Sequence, residues 1–189
     1  MTSAHDGNPT AAARAVRVFV ALKMTAEVAQ ALAELAAPLR KFGIRPIAPE
    51  DIHLTLVPPW NESSTADAIA KLHPVAAQHL GFTLSFRHLG YGPNAKRPHL
   101  LWVDCAGSEL TELHDALLLT FGQKEERAFL PHVTLARLRA SGTRIARKCP
   151  IDRDIALTQT IVSVELMQSP PPGEHGYRVL ASAPLAPPA

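Results

Sequence analysis

Cysteine is scarce in this chain: Cys105 and Cys149 are the only two among 189 residues. Two thiols cannot build a disulfide framework, so both read as inert groups suited to a reducing cytoplasm. Long apolar runs are missing as well. None approaches the roughly 18–20 residues that span a bilayer, so no membrane helix and no membrane partner is expected. An excess of one charge is also lacking. A net charge of +2 is too small for the whole molecule to act as an electrostatic nucleic-acid binder. The opening residues MTSAHDGNPTAAARA have no basic region followed by an apolar stretch, so 1–15 read as a flexible leader rather than a secretory signal. The nine histidines never fall at the HxH or HxxxH spacing of a metal site. No metal or other cofactor is expected.

What is present is an ordinary globular balance, 47% hydrophobic and 19% charged. It suits a single domain over 16–185 with a proline-rich tail at 186–189. RVFVALKM (17–24) reads as a buried strand, and Thr25 as the cap of a helix with Val28, Leu32, Leu35 and Leu39 along one stripe. IHLTLV (52–57) reads as a strand that PPWNES should end. A second helix opens at Ser64 or Thr65 and should stop at Pro74. GFTLSFRHLG alternates Phe82, Leu84 and Phe86 against polar neighbours, the pattern of a half-buried strand. HLLWVDC (99–105), a helix over about 108–121, FLPHVTLARLR, DIALTQTIVSVELM (154–167, with a polar interruption) and YRVLASAPL (177–185) follow. Residues 137–148 hold five cations, Arg137, Arg139, Arg144, Arg147 and Lys148, and no acid. This run reads as a solvated loop or a phosphate-attracting rim.

The informative feature is a repetition. HLTL at 53–56 and HVTL at 132–135 share His–apolar–Thr–Leu, 79 residues apart (132 − 53). In each half, about 16–95 and 96–185, a strand leads to an amphipathic helix and a later strand carries the motif, so a pseudo-symmetric duplication is expected. Side chains alternate along a strand. His53 and Thr55 therefore share one face, as do His132 and Thr134, while Ile52, Leu54, Leu56, Val133 and Leu135 face a core. Two imidazoles can hold one proton between them, one as base and one as acid. Two threonine hydroxyls can donate to phosphate oxygens without titrating. Displacement at phosphorus needs that set: a base on the attacking oxygen, an acid on the leaving oxygen, and donors for the equatorial charge.

HLTL (53–56) and PHVTLAR (131–137) resemble the paired motifs of the two-histidine phosphoesterases. Within these the chain is similar to the RNA 2′,3′-cyclic phosphodiesterases, also called 2′-5′ RNA ligases. The likeness runs from RVFVAL through LLWVDC to Ser169, Gly176, Tyr177 and the terminal APL (183–185). It implies a two-lobed α+β fold with antiparallel sheets lining a central cleft and helices outside. It implies a monomer that hydrolyses RNA-terminal 2′,3′-cyclic phosphates, tRNA fragments among them, to 2′-phosphates. Reversible, ATP-independent 2′-5′ joining of RNA ends belongs to the same machinery. Carried over by position, His53 is the general acid, His132 the base, Thr55 and Thr134 the phosphate donors and Arg137 the neutralising cation.

The chain departs from the family after HLTL, where Val57-Pro58-Pro59-Trp60 replaces an apolar residue followed by Phe-Leu-Gly. Trp60 could stack on a base or cover the loop; Tyr91 and Trp102 read as packing, with nucleoside stacking as the sharper alternative. Phe129 and Tyr177 read as packing, and the other seven histidines as core or surface residues. Strict alternation from His132 sends Arg137 to the wrong face, so a bulge or the strand's end has to turn it inward. Two rival functions stay open: a non-catalytic module binding a nucleotide or RNA end, and a phosphodiesterase for small cyclic nucleotides or ADP-ribose-derived substrates.

Overall fold

A computed structural model describes residues 15–94, 96–125, 127–138 and 142–187. The leader, apart from Ala15, falls outside these residues, as do Arg139 and the last two residues of the tail. The chain adopts the expected α+β, antiparallel architecture. In chain order its elements are β1 (Val16–Lys23), α1 (Ala26–Glu34), β2 (Arg45–Pro46), β3 (His53–Glu62), α2 (Thr65–Ala76), β4 (Phe82–Gly92), β5 (Leu100–Ala106), α3 (Leu110–Thr120), β6 (His132–Arg137), α4 (Gly142–Lys148), β7 (Arg153–Ile161), β8 (Ser163–Gln168) and β9 (Arg178–Pro184). Short 3-10 turns occupy Ala37–Phe42 and Pro49–Asp51.

One nine-stranded sheet runs β7-β4-β5-β6-β3-β1-β8-β9, with β2 added beside β6. The two motif strands, β3 and β6, lie next to each other at its centre. A single register pair, Leu54 with Val133, joins them. Each wing mixes both halves of the sequence: β4 pairs with β5 and β7, while β8 and β9 extend from β1. The helices cross over too. The turn into α1 is tied to β7, where Thr25 N–H donates to Gln159 Oε1 at 2.9 Å and Gln159 Nε2 donates to the Lys23 carbonyl at 3.0 Å. α3, which follows β5, packs on β3 and α2.

The two faces of the sheet have different work. Val18, Val20, Leu22, Leu54, Leu56, Val133 and Leu135 form a fully buried layer with Leu32 of α1, Leu72 of α2 and Leu113 of α3. Each such side chain contributes on the order of 2 kcal/mol by leaving water. Phe19, Ala21 and Met167 make a separate cluster on the opposite face, capped by Tyr177. That second face carries the motif side chains.

Local chemistry explains the ends of the elements. Thr25 caps α1 by accepting from Val28 N–H at 3.3 Å, and Ser64 caps α2 by accepting from Asp67 N–H at 3.2 Å. Pro38 opens the 3-10 turn after α1, and Gly43 closes it at φ 67°, a left-handed conformation that suits glycine.

Four expectations need correction. β3 does not stop at Pro58 but runs to Glu62, because the β1–β3 register slips around the two prolines and a bulge needs no ladder bond from them. α2 continues past Pro74 to Ala76, since a proline in the last turn costs the helix only one backbone bond. The basic run is no loop over its second part: 142–148 form α4, with Ile145 buried. The start of the tail is anchored, with Ala186 exchanging backbone bonds with His79 and Gly81 at 2.8 and 2.7 Å.

Candidate active site

Because Leu54 faces Val133 in an antiparallel pair, the flanking residues cross: His53 lies opposite Thr134, and Thr55 opposite His132. Both histidines and both threonines therefore share one patch of the sheet, with the buried leucine and valine behind it. The patch floors a cleft of about 230 Å³ that is also lined by Phe19, Asp51, Arg137, Ser169 and Tyr177.

The two imidazoles are anchored in the same way. His53 Nδ1 is 2.7 Å from the Asp51 carbonyl, and His132 Nδ1 is 2.6 Å from the Leu130 carbonyl, in each case two residues upstream. A carbonyl only accepts, so Nδ1 carries the proton in both rings and Nε2 is left for the cleft. A neutral ring then offers a lone pair at Nε2, and a protonated one offers N–H from the same position.

Their surroundings differ. His53 sits in an aromatic corner, 5.0 Å from Phe19 and 5.0 Å from Tyr177, whose ring meets it edge-on. Burial there pushes the His53 pKa below 6.5, partly opposed by the Asp51 carbonyl and carboxylate, and helped by Arg137 and His132. His132 is flanked by Trp102, with ring centroids 4.3 Å apart. The Trp102 indole fits because its neighbour is Gly92, where any Cβ would overlap the ring.

Arg137 reaches the cleft through a bulge. On β5, Trp102 pairs with Thr134 but Leu101 pairs with Ala136, so Leu135 is the extra residue on β6. Leu135 and Ala136 both turn to the core and are fully buried, and the next residue, Arg137, falls on the His/Thr face. Asp51 braces the other side, its Oδ1 accepting from Tyr177 N–H at 2.9 Å.

Two residues considered for nucleoside stacking are not among those lining this cleft. Trp60 packs on Phe121 at 4.9 Å and donates its indole N–H to Glu62 at 3.0 Å. Tyr91 donates its hydroxyl to the Cys149 carbonyl at 2.6 Å, and burial pushes its pKa up to about 12. Conversely, Phe19 and Tyr177 matter more than packing alone suggested. The signal for Phe19 was its parity: it shares a strand face with Ala21 and Lys23, the partners of Thr55 and His53. His114 is a core residue, donating Nδ1–H to the Leu56 carbonyl at 2.6 Å and stacked on Phe129 at 3.8 Å. Burial also raises the Cys105 thiol to about 12, which leaves it inert.

A profile of the 2′-5′ RNA ligase superfamily matches residues 27–169, which include both motifs. The chain belongs to that superfamily. An RNA 2′,3′-cyclic phosphodiesterase of Thermus thermophilus is 29% identical over 143 residues, covering 69% of this chain and 72% of its own length. One of the same name from Archaeoglobus fulgidus is 27% identical over 69% of this chain and 77% of its own. The match to the Aquifex aeolicus protein of that name spans 55% of its length. Among solved structures, TT0787 of Thermus thermophilus aligns with a TM-score of 0.73 at 26% identity, over 89% of this chain and 97% of that one. Escherichia coli LigT, solved with 3′-AMP, has the same fold, with a TM-score of 0.70 at 22% identity over 90% and 98% of the two chains.

Proposed function

We propose that this superfamily member is an RNA 2′,3′-cyclic phosphodiesterase that opens the cyclic phosphate to a 2′-phosphate. The observation carrying the proposal is the crossed His–Thr square, in which both Nε2 atoms are left for one cleft. In this reading a water attacks phosphorus while His132 Nε2 takes its proton. The P–O3′ bond breaks as His53 Nε2–H protonates the departing oxygen, and the two protons balance over the turnover. Thr55 and Thr134 donate to the non-bridging oxygens, and the Arg137 guanidinium faces their charge. Burial holds His53 towards its neutral form before substrate binds. It then gains its proton alongside the substrate, whose negative charge stabilises an imidazolium. Run in the same direction with an RNA 5′-hydroxyl attacking in place of water, these steps would form a 2′-5′ linkage without ATP, and their reversal would cleave it back to the cyclic phosphate. Relatives named for RNA ends favour RNA over free cyclic nucleotides as substrate.

The test is hydrolysis of an oligonucleotide ending in 2′,3′-cyclic phosphate, with EDTA present. His53→Ala and His132→Ala should each lower turnover at least about 10²-fold, the low end for general acid–base assistance. The product should carry a 2′-phosphate; a 3′-phosphate would mean that the other oxygen leaves. Nucleotide binding with no product from the unaltered protein would instead identify a binding module.

A further inference from the structure

At the end of the central strands the cleft opens onto a second depression, lined by Arg45, Ile47, Asp51, Arg137, Glu174 and His175 among others. Arg137 belongs to both, and it also borders a shallow shelf formed with Arg45, His99 and Leu100. β2 exists to put Arg45 there. Its two residues pair with the end of β6 in the register Arg45 to Arg137, and Arg137 in turn faces Leu100 on β5.

Like charges directly opposite on paired strands are destabilising. Here neither guanidinium is relieved by a partner: among the described residues, no carboxylate lies within 4.0 Å of Arg45 or Arg137. The Asp51 carboxylate accepts from the Tyr177 N–H. Glu174 is the other acid on the rim. Arg45 Nη2 instead donates to His175 Nδ1 at 3.0 Å, which leaves the ring's Nε2–H as a further donor. Two unrelieved arginines and an imidazole N–H, one step from the His–Thr cleft, ask for a second anion.

We propose that Arg45, with His175, binds the next phosphodiester of the RNA strand, the one joining the terminal nucleotide to its neighbour. Arg137 lies between the two phosphates, and Arg45 makes the site read a strand rather than a lone nucleotide. This rests on the hydrolytic reading given above. Planar guanidinium donors match a phosphodiester oxygen pair, which a lysine at the same place would contact only as a point charge.

Three substrates separate the possibilities: a nucleoside 2′,3′-cyclic phosphate, a dinucleotide with the same cyclic end, and that dinucleotide with an uncharged methylphosphonate linkage. The unaltered protein should favour the charged dinucleotide over its methylphosphonate counterpart about tenfold in kcat/KM, the effect of a charge-assisted contact. The preference should weaken with added salt. Arg45→Ala should bring that ratio to within twofold of one, and Arg45→Lys should leave part of it. Equal turnover of the charged and uncharged dinucleotides by the unaltered protein would overturn the second-phosphate site while leaving the hydrolytic reading intact. Turnover of none of the three would reject the hydrolytic reading itself, and this site with it.

Discussion

His53 lies between an apolar corner and a charged rim, and its protonation should report both. Its folded-state pKa is held below 6.5 by burial, so the unfolded chain binds more protons between the two values. Its contribution to stability is therefore complete above about pH 6.5 and is lost as the pH falls through the depressed folded value. An NMR titration should find the ring below 6.5, and Phe19→Ala, which opens one wall of the corner, should move it upward. A titration midpoint above 6.5 in the unaltered protein would contradict the burial argument. Thr55 and Thr134 give a second test at this scale. Thr134→Val keeps the shape but removes the hydroxyl, and should lower kcat about 10- to 100-fold if the donor meets developing charge. Loss in KM alone would show that it contacts ground-state phosphate no less strongly. At this scale the sequence was highly legible: two-residue alternation put His53 with Thr55 and His132 with Thr134. Alternation alone sent Arg137 to the wrong face. The family resemblance named it and required a bulge or the strand's end, but the extra residue at Leu135 leaves no compositional mark, since leucine and alanine suit a regular strand equally well.

Elements support the site from behind. α3 grips β3 through one buried bond, His114 to the Leu56 carbonyl. His114→Leu would leave that carbonyl unpaired and should cost about 1–3 kcal/mol. Thermal unfolding should fall by about 2–4 °C per kcal/mol in a chain of this size. Two strands away from the second motif strand, Gly92→Ala on β4 would push Trp102 of β5 off its seat beside His132. The expected result is a folded protein whose kcat drops more than its melting temperature accounts for; unchanged kcat would show that the indole does not position the ring. Helix caps were readable at Thr25 and Ser64, where one side-chain oxygen settles the matter locally. Pro58 and Pro74 misled because a proline's cost depends on what it would have bonded to. That is a tertiary fact, set by the slipped β1–β3 register in one case and by the helix's last turn in the other. β2 was invisible for the same reason, being two residues long and defined wholly by its partner.

Across the whole molecule, strands from both halves of the sequence build each wing of the sheet. Phe82–Gly92 hydrogen-bonds to β5 and β7, and Ser163–Gln168 to β1. Fragments 16–95 and 96–185 should therefore be largely unfolded when separate and regain ordered structure when mixed, as circular dichroism would show. Two fragments that each fold alone would mean that these ladders contribute little. The recurrence of the His–apolar–Thr–Leu motif was visible in the sequence, at 53–56 and 132–135. The exchange of strands and helices between wings was not, since a strand's own residues do not say which edge it joins.

The main-chain anchoring of both imidazoles has a consequence for heredity. Where a carboxylate side chain fixes a histidine's tautomer, one codon change can undo the arrangement. Here Asp51 and Leu130 supply the fixing atom from the peptide group that every amino acid possesses. Leu130 can therefore drift in identity without changing the tautomer of His132, whereas at Asp51 only the tautomer is protected in this way, because its carboxylate also receives the Tyr177 N–H and opposes the lowering of the His53 pKa.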